Sequence, residues 1–183
     1  MTKRQLFEEI DRQRERLCDL ADTIFDHPEY DGEEMMAADI LCRYLAENGF
    51  SVERPIAGLK SAFRAVYHAA PAGSGANAPQ TPSGGAAAPR IGILCEYDGL
   101  KNLGHGCGHH MQGPACLGAA VALKNCCESL PFDLVVYGTP AEETFGGKIN
   151  MLEAGYFEDI DVALMMHGAP DTCTDIHCLA LSS

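Results

Sequence analysis

The chain has 183 residues, 46% of them hydrophobic and 21% charged, enough to close one globular core. Its 13 Lys and Arg stand against 26 Asp and Glu, and a formal net charge of -13 repels nucleic-acid backbones and anionic membrane surfaces. No apolar run reaches membrane-spanning length, and nine cysteines, an odd number scattered through apolar stretches, point to free thiols in a reducing cytoplasm.

Leu6, Ile10, Leu17, Ala21 and Ile24 recur at helical spacing among charges, which predicts an amphipathic first helix. A second helix is expected over 32–48, with Ala37, Ile40, Leu41, Tyr44 and Leu45 inward, Glu33 and Glu34 favouring its N-terminal dipole and Gly49 as its left-handed stop. Residues 61–68 alternate as a strand does, and 90–97 form a continuous apolar run expected of a strand buried on both faces. Between them, 69–89 consist almost wholly of Ala, Gly, Pro, Ser and Asn, the composition of a flexible surface loop. A closely packed helix is predicted over 113–127 with Pro114 in its first turn, then buried strands over 132–139 and 160–167 separated by a short helix over 148–154 closed by Gly155. Alternating strands and helices predict an α/β domain built on a mostly parallel sheet flanked by helices, and such sheets bind ligands beyond the carboxyl ends of their strands.

The chemistry-bearing residues cluster at those ends. Asp98 follows the 90–97 run, Cys107 to His110 occupy a glycine-rich loop before the 113–127 helix, Glu142 and Glu143 follow the 132–139 run, and His167 ends the last strand. Thiolate, imidazole and carboxylate together are donors for a borderline dication such as zinc, and an acid beside a ligand can act as a general base, so the expectation is a metal-dependent hydrolase. Each residue also has a plainer reading. Cys107 alone would be a buried free thiol, Glu142 and Glu143 a solvated pair near a helix start, and His167 a hydrogen-bonded structural histidine. His110 is expected beside the ligands, or as a neighbour of a helix N-cap, rather than among the ligands, since adjacent side chains seldom reach one ion. His27, His68 and His177, and Asp171 and Asp175, read as surface or loop residues.

The stretches Glu96-Tyr97-Asp98-Gly99-Leu100, Gly104-His105-Gly106-Cys107-Gly108-His109-His110 and Gly138-Thr139-Pro140-Ala141-Glu142-Glu143, followed by Met166-His167-Gly168, resemble the zinc aminoacylase and carboxypeptidase-type amidohydrolases, metallopeptidase clan MH, family twenty. The branch most resembled holds the aminobenzoyl-glutamate hydrolase subunit and the beta-alanyl dipeptidases. The resemblance implies a zinc-exopeptidase-like catalytic domain in its N-terminal portion, without the lid and dimerisation domain that relatives carry after the equivalent of His167. It implies Cys107, His109, Glu143 and His167 as ligands of two divalent metal ions, zinc or else manganese or cobalt, with Cys107 bridging. Asp98 would orient His109, His110 would lie in the surrounding layer where relatives carry Asn or Asp, and Glu142 would be the general base that moves a proton from water to the leaving amine. The implied substrate is a small N-acyl amino acid or dipeptide, and the implied assembly a homo-oligomer. Because the distal ligand of the family lies beyond Ser183, an inactive half-domain serving as a folding or interaction module is the alternative expectation.

Overall fold

The structure is a computed structural model and describes residues 1–68, 89–127 and 132–168. Helix α1 (Lys3–Asp26) opens on a capping box in which Thr2 Oγ1 accepts from the Gln5 amide and Gln5 Oε1 accepts from the Thr2 amide. It buries Leu20 and Ile24 and leaves its charged face in water. Helix α2 (Met35–Glu47) is followed by Gly49 at φ 82, the left-handed stop that its sequence predicts. The acid at its start is a different one from those expected. Glu29 accepts from the Met36 and Ala37 amides, whereas Glu33 pairs with Lys60 and Glu34 is buried against Ser61.

Strands β1 (Ser51–Glu53), β2 (Phe63–Tyr67), β3 (Arg90–Cys95), β4 (Asp133–Gly138) and β5 (Val162–Met165) form one sheet in the order β1-β2-β4-β3-β5. β3 pairs in parallel with β4 and β5, while β2 is antiparallel to both β1 and β4. Four of the five strands therefore run in one direction, with β2 reversed, and the sheet is mostly parallel as expected. Helix α3 (His109–Cys126) connects β3 to β4, and α4 (Gly147–Glu153) lies on the way from β4 to β5. Alternation along β4 divides the core between two faces. Leu134 and Val136 join the α1, α2 and α3 side chains Ile24, Leu41, Leu45 and Leu117, while Val135 and Tyr137 pack with Ile56 and Met151 of α4.

Two elements differ from their sequence reading. The apolar run of β5 predicts a buried strand, yet Val162, Leu164 and Met165 are 48–53% exposed. It pairs on one edge only, with β3, among the described residues. Helix α3 begins at His109 rather than Gly113, so Pro114 stands inside it rather than in its first turn. Tertiary contacts hold the additional turn: Gly108 takes a left-handed φ of 86 at its start and Asp98 grips the His109 ring. The loop expected over 69–89 lies outside the described residues except for Pro89, as do Asp171, Asp175 and His177. No helix among the described residues is long and apolar enough to cross a membrane.

Candidate metal centre

β3 is flanked by its two parallel neighbours, with Cys95 opposite Gly138 and Leu94 opposite Met165, so three strand ends stop at one level. The chain reverses its direction of travel across the sheet here, from β3 to β4 on one side and then to β5 on the other, which is where an open α/β sheet leaves a crevice. The alternation of β3 continues past its last pairing. Tyr97 turns into the core, stacks on Phe63 and donates to the Ser61 carbonyl at 2.7 Å, while Glu96 and Asp98 turn to the rim.

Asp98 joins two elements. Its Oδ1 lies 2.9 Å from His109 Nδ1, and its Oδ2 accepts from the Glu143 amide at 3.0 Å. With Nδ1 directed at this carboxylate, His109 offers Nε2 to the crevice. Around that nitrogen stand Glu96 Oε2 at 3.3 Å, His167 Nε2 at 3.3 Å and Glu143 Oε1 at 4.0 Å. The ligand atoms of Glu96, His109 and His167 lie within 4.8 Å of one another, as do those of His109, Glu142 and Glu143. Cys107 belongs to neither group and neighbours Glu143. Hydrogen bonding to that carboxylate, burial and the negative charges of Glu143, Glu142 and Asp98 push the thiol up to about 11. Burial alone would lower the pKa of His109, but the Asp98 bond and the charges of Asp98, Glu96 and Glu143 raise it. Partial burial raises Glu142, and the neighbouring Glu96 charge adds to the shift.

The donor chemistry fits a divalent ion. Imidazoles and carboxylates converge, and Glu96 Oε2 is buried without a hydrogen-bond partner while facing the ring nitrogen of His109. The rim thus gathers His109, Glu142, Glu143 and His167, with Asp98 behind them and Cys107 beside Glu143 but outside both groups. His110 is not brought there. Successive residues on a helix point about 100° apart, and its ring instead stacks toward α1, 4.9 Å from Phe25 and 5.2 Å from His105. Burial lowers the pKa of both His105 and His110.

Three participants escape the sequence reading. Glu96 is 1% exposed and paired with Lys148. Gln112, one turn along α3 from His109, donates to the Met166 carbonyl at 2.6 Å and so ties the residue before His167 to the helix. The i, i+2 spacing of Glu96 and Asp98 at a strand end could have revealed Glu96. Nothing local marks Gln112 or Lys148.

Residues 95–178 match the model of peptidase family M20/M25/M40. Over 179 residues, 91% of the chain, the sequence is 38% identical to an Xaa-Arg dipeptidase of Mus musculus and covers 38% of it. It is 34% identical over 177 residues to a p-aminobenzoyl-glutamate hydrolase subunit of Escherichia coli (strain K12), spanning 86% of this chain and 33% of that protein. Among solved structures, a Bacillus subtilis dinuclear metal-binding peptidase from the M20 family superposes with a TM-score of 0.69 at 23% identity, over 88% of this chain and 44% of that one. The chain spans 33–44% of the length of these relatives. On the family match and the identity to both curated relatives, the chain belongs to peptidase family M20/M25/M40.

Proposed function

We propose that this rim binds divalent metal at two adjacent positions and serves hydrolysis of the amide bond in a dipeptide or N-acyl amino acid. The observation that carries the reading is the convergence of Glu96, His167 and Glu143 on His109 Nε2, with Asp98 fixing the other ring nitrogen. Glu96 and His167 on one side of His109 and Glu142 and Glu143 on the other support neighbouring ion positions, of which His109, with its one free lone pair, would serve one, and the mixed donor set favours zinc, with manganese or cobalt as substitutes. The substrate class rests on the named activities of the mouse and Escherichia coli relatives, and a cytoplasmic location on the odd cysteine count.

A bound dication supplies Lewis acidity, lowering the pKa of water and polarising an amide carbonyl. The chain's own residues do the rest. Cys107, His109, Glu143 and His167 would hold the ions, and Asp98 keeps the His109 lone pair at Nε2 by accepting from Nδ1. Glu142, its pKa raised above the ordinary carboxylate value by partial burial, takes a proton from the attacking water and returns it to the leaving amine.

The test is metal content together with turnover of dipeptides and N-acyl amino acids. Glu142→Gln retains metal and loses about two to four orders of magnitude in rate, because it removes the base and spares the ligands. Glu143→Gln loses metal, and Cys107→Ser loses more of it than His110→Asn. A wild-type chain free of metal after zinc dialysis rejects the reading, and equal metal loss in Glu142→Gln and Glu143→Gln rejects the division of roles.

A further inference from the structure

We propose that Glu96, braced by Lys148, is itself a ligand of this metal centre. The proposal rests on the metal-binding reading above and extends it to a residue outside the set Cys107, His109, Glu143 and His167.

Glu96 is an acid with almost no access to water, 1% exposed, so its charge needs partners inside the protein. One oxygen has a partner. Oε1 pairs with the Lys148 ammonium, and Lys148 is the full cation paired with this acidic group among the described residues. The other has none: Oε2 is buried, accepts no hydrogen bond, and lies 3.3 Å from His109 Nε2. Since Asp98 takes the Nδ1 side of that ring, Oε2 and Nε2 face each other as two electron-pair donors, joined by His167 Nε2 at 3.3 Å from the same nitrogen. Three donors within 4.8 Å of one another have room for an ion at ordinary coordination distances.

Close backbone packing keeps this carboxylate in place. A Cβ on Gly113 would stand 3.3 Å from the Glu96 carbonyl oxygen, so α3 can lie against the end of β3. A Cβ on Gly147 would meet the Pro140 carbonyl oxygen at 2.3 Å, so the start of α4 presses against the segment leaving β4 and carries Lys148 to Glu96. Lys148 is a positioning residue in this arrangement. It pairs with one oxygen of the carboxylate and so turns Oε2 to the crevice.

Cobalt(II) is the probe. In crystals of the wild-type chain loaded with cobalt, anomalous scattering locates the ion, and a Glu96 oxygen is expected about 2.0–2.2 Å from it. In solution, Glu96→Gln, with its fold verified by far-ultraviolet circular dichroism, lowers cobalt affinity about ten- to a hundredfold and changes the d–d absorption spectrum. Lys148→Met lowers affinity less and leaves the spectrum as in wild type. Glu96 oxygens more than about 3 Å from every cobalt ion overturn the proposal whether or not the glutamine variant folds. A folded Glu96→Gln with wild-type affinity and spectrum overturns it too, and either result leaves the metal-binding reading standing. A wild-type chain that takes up no cobalt overturns both.

Discussion

At neutral pH the Cys107 thiol keeps its proton, because the hydrogen bond to Glu143 and the surrounding negative charge push its pKa up to about 11. A metal can use this sulfur only by displacing that proton, which ties affinity to pH. The sign is fixed by the direction of the shift. Below the raised pKa the thiol is protonated, so each pH unit upward favours the metal-bound thiolate by about tenfold from this residue alone. Apparent zinc affinity measured by chelator competition between pH 6.5 and 8.5 is therefore expected to rise more steeply in wild type than in Cys107→Ser, whose hydroxyl does not titrate in this range. Parallel slopes for the two proteins would remove Cys107 from the ligand set.

At the scale of elements, the first turn of α3 and the segment after β5 form one unit, held by Gln112 and the Met166 carbonyl. Gln112→Leu conserves bulk in the 1%-exposed site and removes the donor, leaving the carbonyl unpaired and His167 without its tether. The expected result is a loss of about tenfold or more in zinc affinity with α3 intact, read by metal titration and far-ultraviolet circular dichroism. Unchanged affinity would show that β5 pairing alone positions His167. These elements also show what a linear sequence can and cannot tell. β3, β4 and α2 are legible because a buried apolar run, or a 3.6-residue stripe ended by Gly49, is a local pattern. β1 is not, since Ser51, Val52 and Glu53 are too few to alternate. β5 looks buried because the sequence shows that Val162, Leu164 and Met165 are apolar and not what lies opposite them. Likewise Asp98, Cys107 and His109 stand out by spacing and Glu96 shares that signal, whereas Gln112 and Lys148 acquire their roles only when α3 and α4 dock, and His110 turns toward α1 because the loop around it proves to be helix.

At the scale of the whole molecule, the sheet ends, among the described residues, on an edge strand whose Val162, Leu164 and Met165, with Met166 beside them, are 44–53% exposed. Leu164, Met165 and Met166 line an apolar cavity with Ala115, Ala119 and Leu123 of α3. An uncovered edge next to an apolar hollow favours association between copies, and the net charge of -13 opposes it until salt screens the repulsion. The 183-residue chain is expected to self-associate increasingly as salt rises, and Leu164→Lys to reduce this, with multi-angle light scattering as the measure; a monomer at every ionic strength would refute it. The same edge gives ligand binding a mechanical meaning. β5 is joined to the rest by its short ladder with β3, by Gln112, and by the approach of His167 to His109. An ion shared by those two histidines would act as a rivet through this edge, so that opening of the edge and escape of the ion would become one event. Backbone amide hydrogen exchange in β5 should therefore slow in proportion to metal concentration while the interior of β4 exchanges as before.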